Sequence, residues 1–451
     1  MTGDCASKIK TGFSILAAFL VIPAAFFPGS AIGANGLTLS ACIETALENN
    51  PALRSARSEL NASAADRDIA QGERWPAIGL KGTATRHLDN QRLMPASANG
   101  APGVFSRNIA DAGVVLRMPL YTGGRIVNTI RAAELTEADF RARFARTRRE
   151  LIFNVTSAFY TILGQKRQLE SIGFSRDVLQ KDRRRIQALI DAKKAARVDL
   201  LRMDVRLAQV EQTWVRVRNE THAAWRTLNN LMGVETNFGD PMPELKGELT
   251  PMPPLPAGEG AFEAALANRN DFQAARARAN AQARRVDAAR GQRLPQVNFE
   301  GSYGYRFAGD PSDRPDGADE AGDRGAVGIT LELPVFEGGR IQARIRREAE
   351  KFSALREDLI SLRLRIQKEV ETALYDMQSA RQRVATQETA IAQAREALRI
   401  EQEKYRLGKG AILDVLDAQR ALLEIETEYY RALAEYHIAI GRFRLATGEL
   451  S

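Results

Sequence analysis

The stretch Pro119-Leu120-Tyr121-Thr122-Gly123-Gly124-Arg125 recurs 215 residues later as Pro334-Val335-Phe336-Glu337-Gly338-Gly339-Arg340. Each copy ends a short run of alternating apolar residues and begins a long helical pattern. Proline ends a strand ladder and glycine permits a sharp turn, which is typical of a strand-to-helix junction. The junction positions are Pro119, Gly123, Gly124 and Arg125 in the first copy and Pro334, Gly338, Gly339 and Arg340 in the second. A junction that occurs twice predicts one structural unit built twice.

The repeat extends beyond the junction. The offset of 215 residues also relates Asp199 to Asp414, and upstream an offset of 219 relates Trp75-Pro76 to Leu294-Pro295. Loop lengths between equivalent elements vary freely, which accounts for the small difference in offset. So long a period does not fit a solenoid and fits the duplication of half a domain. Chance similarity would not keep one offset across positions so far apart.

The chain divides into an export signal, two repeats and a connecting segment. Lys8 and Lys10 precede a short apolar run, and small residues follow it, which is typical of a cleaved signal peptide. A transmembrane anchor is disfavoured because the run is short for a bilayer span. The predicted segments are the signal peptide at 1–34, the first repeat at 35–236 with a β-hairpin at about 77–118, a proline-rich crossover or plain linker at 237–258, and the second repeat at 259–451 with a β-hairpin at about 295–335.

Composition and motifs disfavour several classes of function. The chain has 451 residues, of which 27% are charged, and a net charge of +8. Basic and acidic residues alternate along helical stretches, as on solvated helix faces, so no nucleic-acid partner is predicted. The three histidines have no metal-ligand spacing, and the sequence has no glycine-rich phosphate loop and no paired-cysteine motif. We therefore predict no enzyme activity, no cofactor and no metal site.

Two proline-free stretches predict very long helices. Residues 125–190 and 340–407 contain no proline, and at about 1.5 Å per residue each would extend roughly 100 Å. A heptad seam runs from Ala373 to Leu398, in alternating steps of four and three. After each stretch come a short turn and a shorter helical pattern, at 199–232 and 414–447. These patterns predict antiparallel helical hairpins, which would also suit a non-conducting structural or adhesive coiled-coil protein of the cell envelope.

Four runs of period-two alternation predict β-strands of membrane-spanning length. The predicted hairpin loops at 86–108 and 306–324 are long and polar, as on the outer side of outer-membrane barrels. The polar residues predicted to line the barrel lumen are Lys81, Arg117, Glu300, Arg306 and Glu332. Four strands cannot close around a lumen, and lipid tolerates no open sheet edge. Two or three chains would therefore have to share one barrel.

Several motifs carry a resemblance to a known family. They are Leu37-Thr38-Leu39, Ala46-Leu47-Glu48-Asn49-Asn50-Pro51, the two junctions, and the stretch from Tyr405 to Gln419. On these residues the chain resembles the TolC-like outer-membrane efflux protein family, which comprises the outer membrane factors of tripartite efflux and type I secretion systems. The resemblance covers the chain from about Leu37 to Gly448.

The resemblance implies a fold that is mainly α with a membrane β-barrel. A homotrimer would form a twelve-stranded β-barrel in the outer membrane, continuous with a twelve-helix α-barrel in the periplasm. Such proteins are passive exit ducts of the Gram-negative outer membrane and contact its lipid. A periplasmic adaptor protein and an inner-membrane pump of the RND or ABC type provide energy and substrate choice. The transported substrate stays open, as does the choice between drug efflux and protein secretion.

A pair of aspartates is the candidate constriction. Asp414 and Asp417 lie three residues apart and so share one helix face. In a trimer they would bring six carboxylates towards the axis, and such a ring favours cations. Helix capping is the alternative, because Asp414 follows a glycine-rich turn and aspartate is a good cap.

The resemblance favours a gate at the tunnel tip. It implies that Tyr405 donates a hydrogen bond to Asp199 and holds the inner helical hairpin closed. A second link of the family lacks its residues here, because Gly410 and Val198 occupy those positions. We therefore expect a tip that is held by fewer bonds and opens more easily.

Overall fold

The computed structural model describes residues 37–95, 102–237, 239, 241–250, 252–313 and 316–450. The signal peptide predicted at 1–34 lies outside these residues. The strands are β1 (Leu37–Thr38), β2 (Ala77–Arg92), β3 (Phe105–Tyr121), β4 (Leu245–Lys246), β5 (Gln296–Ala308), β6 (Pro311–Asp313) and β7 (Ala321–Glu332). The helices are α1 (Leu39–Asn49), α2 (Pro51–Gly72), α3 (Arg125–Asp191), α4 (Arg197–Met232), α5 (Ala261–Asn268), α6 (Asn270–Gly291), α7 (Arg340–Arg406) and α8 (Ile412–Thr447).

One antiparallel sheet contains both long hairpins, in the strand order β2-β3-β5-β7. β3 and β5 join the two hairpins, so β2 and β7 lie at the edges. The prediction of long loops at 86–108 and 306–324 was wrong in extent, because β2 continues to Arg92 and β3 begins at Phe105. Beyond the predicted strand ends a small apolar cluster packs between the hairpins, formed by Leu93, Val104 and Ala308. This contact between distant segments stabilises the strand extensions.

The two longest helices, α3 and α7, have 67 residues each, which corresponds to roughly 100 Å. Each follows a glycine in the left-handed conformation, Gly124 at φ 80° and Gly339 at φ 78°. The seam positions of α7 are fully buried from Ala373 to Val384 and half-buried from Gln387 to Leu398. α8 packs along α7, so the two helices form an antiparallel hairpin. α3 and α4 form the equivalent hairpin of the first repeat.

The helices of the two repeats have different neighbours. α6 packs against both long helices, α3 and α7. Its counterpart α2 packs along α3 and has no comparable contact with α7 in the described part of the chain. α8 also packs against both long helices, whereas α4 packs mainly against α3. α6 and α8 are therefore enclosed between the two long helices, while their counterparts α2 and α4 keep an open side.

Two apolar clusters stabilise the helical part. The larger cluster contains the buried side chains of Phe159, Trp225 and Tyr436, and the smaller one contains Leu179, Met203 and Val415 near the helical turns. No helix within the described ranges is long and apolar enough to cross a membrane. The same ranges hold no group of three or more side chains arranged to bind a metal ion.

The described part of the proline-rich segment is held against the helices. β4 pairs in parallel with β1 at the start of the first repeat. The Tyr436 hydroxyl donates to the carbonyl of Pro253 at 2.6 Å, and Nε2 of His437 donates to the carbonyl of Leu249 at 2.9 Å. Because a carbonyl only accepts, Nε2 must carry the proton. Burial lowers the pKa of His437, which favours the neutral imidazole.

Candidate functional site

The strand register places all five residues predicted to line a lumen on one face of the sheet. Arg117 lies opposite Glu300, and their side chains form an ion pair of 3.2 Å. Arg306 lies opposite Asp111 and pairs with it at 2.9 Å. The remaining two residues on this face, by strand alternation, are Lys81 and Glu332. The polar face thus carries charges of both signs, partly compensated across strands.

The opposite face of the sheet is apolar and exposed in the single chain. Leu80 is 88% exposed and Val327 is 80% exposed. Other large apolar side chains exposed on this face are Ile78, Tyr303, Ile329 and Leu331. Contiguous apolar surface of this kind indicates contact with lipid or with another protein.

The glycine turns of the two strand-to-helix junctions have the same conformation and different surroundings. The prediction that proline ends the strand was wrong for the first copy, because β3 continues through Pro119 to Tyr121, whereas β7 ends at Glu332 before Pro334. Gly123 and Gly338 are both left-handed, with φ of 62° and 58°. A Cβ at Gly123 would lie 2.4 Å from the carbonyl oxygen of Gly291 and 2.7 Å from the Cβ of Leu294. A Cβ at Gly338 would meet no atom within 4 Å, and neither would one at Gly72, the first-repeat counterpart of Gly291. The first junction is therefore packed within the chain, and the second faces open space.

Asp414 and Asp417 lie in the first turns of α8. Asp414 is the third residue of the helix, and its carboxylate accepts a hydrogen bond from the backbone N–H of Ala411 at 3.3 Å. It therefore caps the helix, as the alternative interpretation expected, although Ala411 occupies the N-cap position. Asp417 is exposed and forms an ion pair with Arg420 at 3.1 Å. Asp417 is therefore paired with a cation, whereas Asp414 interacts with the backbone at the start of α8.

The hydrogen bond expected between Tyr405 and Asp199 is not formed in this structure. The Tyr405 hydroxyl has no hydrogen-bond partner in the described part of the chain, and its ring packs against the smaller apolar cluster. Burial raises the pKa of Tyr405, and the nearby charge of Asp199 raises it further. Asp199 lies in the first turn of α4, where the helix N-terminus favours a carboxylate, and 4.0 Å from Arg202. These interactions compete with the phenol for Asp199.

A family comparison identifies the chain. The family described as "Outer membrane efflux protein" matches residues 42–234 and 261–449, one range in each repeat. The chain belongs to this family. It is accordingly an outer-membrane protein of the efflux class, as the motifs predicted.

Individual members of the outer membrane efflux protein family align over most of the chain. The outer membrane efflux protein BepC of Brucella suis is 24% identical over 428 residues, which are 92% of this chain and 86% of BepC. Outer membrane protein OprJ of Pseudomonas aeruginosa is 27% identical over 408 residues, 88% of this chain and 81% of OprJ. The solved outer-membrane channel OprN superimposes with a TM-score of 0.77 at 23% identity, over 91% of this chain and 89% of that chain. The mainly helical channel-protein fold is thus confirmed.

Three arginines beside the candidate gate were not predicted from the sequence as site residues. Arg202, Arg206 and Arg420 line a groove of about 330 Å³ between α4 and α8, together with Asp417. The sequence did contain an indication of two of them, because Asp199 and Asp417 are each followed three residues later by arginine. At that spacing the side chains are neighbours on a helix. In this member of the outer membrane efflux protein family, arginines therefore accompany the candidate gate carboxylates.

Proposed function

We propose that the chain forms a homotrimeric exit duct that crosses the outer membrane and the periplasm. One observation supports this proposal. Each surface that is open in the single chain is equivalent to a surface of the other repeat that is covered within the same chain. The edges of the sheet, the open side of α2 and the second junction are all incomplete. Each would be completed by the next copy in a closed ring.

The sheet edges support the ring. Within the chain, β3 pairs with β5 and joins the two hairpins. The same pairing would join β7 to β2 of the next copy, because β7 corresponds to β3 and β2 corresponds to β5. A closed barrel leaves no unpaired backbone groups in lipid. The exposed apolar face would then contact lipid, and the face with Arg117 and Glu300 would line water.

The helices repeat the same relation. α6 fills the space between α3 and α7 within one chain. α2 would fill the equivalent space between α3 of its own chain and α7 of the adjacent copy. One type of interface would thus occur alternately within and between chains.

Strand number favours three copies over two. The chain contributes four long strands, so two copies would supply eight and three would supply twelve. About eight strands leave an interior that side chains fill, whereas larger barrels enclose an aqueous channel. Three copies therefore suit a face as polar as that of Arg117, Glu300 and Lys81.

A periplasmic adaptor and an inner-membrane pump of the RND or ABC type would supply energy and substrate.

A conductance experiment separates this proposal from its alternative. We expect the protein extracted from outer membranes in detergent to be trimeric by native mass spectrometry and to open stable channels in planar bilayers. A non-conducting structural or adhesive coiled-coil protein would form trimers that leave the bilayer current at baseline. Monomeric protein under mild detergent conditions would contradict both interpretations.

The tip is proposed as the gate, and Tyr405 tests how it is held. Because the Tyr405 hydroxyl has no hydrogen-bond partner among the described residues, Tyr405→Phe should change channel conductance by no more than about twofold, the effect of roughly 0.5 kcal/mol. Tyr405→Ala should raise conductance more strongly, since it removes the ring from the apolar cluster. If Tyr405→Phe raised the conductance as much as Tyr405→Ala, the expectation would be contradicted. The hydroxyl would then hold the tip closed through the hydrogen bond that the family resemblance implies.

A further inference from the structure

We propose that arginines on α4 and α8, rather than the aspartates, set the charge selectivity of the tip, which passes anionic solutes in preference to cations. The inference rests on the proposed function, since it assumes that the tip is the narrow part of a duct. It concerns the groove between α4 and α8, whose charged lining is Arg202, Arg206, Arg420 and Asp417.

Two of the three aspartates near the tip are compensated by a neighbouring arginine. Asp417 lies 3.1 Å from the guanidinium of Arg420, and Asp199 lies 4.0 Å from that of Arg202. Asp414 accepts the backbone N–H of Ala411 at the start of α8. A carboxylate with a cation at contact distance acts on a passing ion as a dipole rather than as a full charge. Asp417 and Asp199 therefore contribute less to a cation site than their charges alone predict, while Asp414 remains a charged helix cap.

One arginine of the groove has no carboxylate partner among the described residues. Arg420 pairs with Asp417 and Arg202 lies 4.0 Å from Asp199, which leaves Arg206. Arg206 is half-buried, and its Nε has no hydrogen-bond partner among the described residues. Burial lowers the pKa of Arg206, the neighbouring Arg420 lowers it further, and Glu424 and Asp417 raise it. An arginine nevertheless remains charged in a protein, so Arg206 is a positive charge without a direct ion pair in the described part of the chain.

Apolar side chains in the same groove indicate which kind of anionic solute it would favour. Leu201, Val205 and Leu413 are exposed along it. In bulk salt the charges act over about 8 Å, so only side chains at the groove influence an ion that passes the tip. An uncompensated cation beside apolar side chains suits an amphipathic solute that carries a carboxylate or another anionic group.

Reversal potentials in a potassium chloride gradient test the inference. The parent channel should be more permeable to chloride than to potassium. The double variant Arg206→Gln/Arg420→Gln should shift the permeability ratio towards potassium by about threefold or more, the factor by which one unit charge at roughly 7 Å in water changes the local population of an ion. The matched control is Arg399→Gln on α7, which removes an arginine from a similarly exposed pair with Glu396 away from the groove. It should keep the ratio of the parent.

The outcomes are distinguishable from a failure of the duct itself. A parent channel that prefers potassium would overturn the inference without any variant. So would a conducting double variant with an unchanged ratio. Arg206→Lys/Arg420→Lys keeps both charges and should keep the parent ratio, so a loss of selectivity there would also contradict the inference. Absence of any channel current in the parent would instead contradict the proposed function, and the inference with it.

Discussion

Gly338→Ala should disrupt the trimer, whereas Gly339→Ala, at the next residue, should leave it assembled. The two glycines have left-handed φ values of 58° and 78°, and a Cβ on either would meet nothing within 4 Å in the single chain. Each alanine therefore costs about 1–2 kcal/mol of backbone strain. The two variants differ only in what the next copy would place against them.

The first junction indicates what that neighbour is. Gly123, the counterpart of Gly338, is packed so closely on Gly291 and Leu294 that a Cβ would lie 2.4 Å from a carbonyl oxygen. The counterparts of Gly291 and Leu294 are Gly72 and Trp75, which the ring would bring from the next copy to Gly338. A forced methyl group there should cost about 1–3 kcal/mol at each junction between copies. Gly124, the counterpart of Gly339, has only Asn128 of its own helix near it, at 3.5 Å.

Native mass spectrometry or light scattering across a dilution series in detergent measures this difference. The Gly338 variant should dissociate at concentrations where the parent and the Gly339 variant stay trimeric. Equal dissociation of both variants would assign the effect to strain in the turn. Trimers of parent stability in both would show that Gly338 does not face a neighbouring copy.

Arg269→Ala should lower the free energy of unfolding by about 3–5 kcal/mol, the usual cost of removing one partner from a buried ion pair. The Arg269 side chain is 8% exposed and pairs with Asp271, 10% exposed, at 2.7 Å and with Glu369 at 2.7 Å. It also donates to the carbonyl of Ala446 at 3.3 Å. One side chain thus connects α6, α7 and α8. Its loss would leave the buried Asp271 with Arg146 and the backbone N–H of Phe272.

Chemical denaturation followed by helical circular dichroism, at one protein concentration, measures the loss. The matched control is Arg442→Ala, which breaks the exposed pair with Asp376 nearby and should cost no more than about 1 kcal/mol. Equal costs for the two variants would mean that the Arg269 network is not a major source of stability. Asn50, the first-repeat counterpart of Arg269, makes a comparable contact without a charge. Its side chain donates a hydrogen bond to the carbonyl of Leu231 at 2.8 Å.

Patterns that act locally were predictable from the sequence. The proline-free stretches predicted α3 and α7, and strand alternation placed Lys81, Arg117 and Glu300 on one face. Two features were not predictable because they depend on distant contacts. β2 extends to Arg92 through packing between hairpins, and the Tyr405 ring of α7 packs against an apolar cluster contributed by α3, α4 and α8. A family resemblance transfers residue identities, but it does not transfer these contacts.

The enclosed position of α6 between α3 and α7 also has a kinetic consequence. Because both repeats belong to one polypeptide, this interface closes as a unimolecular step during folding, at the high effective concentration that a covalent link provides. In the proposed trimer, only the equivalent closure by α2 would require an encounter between molecules. Duplication would thus halve the encounters needed to complete the ring, and moderate affinity at each remaining contact would suffice for assembly at low abundance.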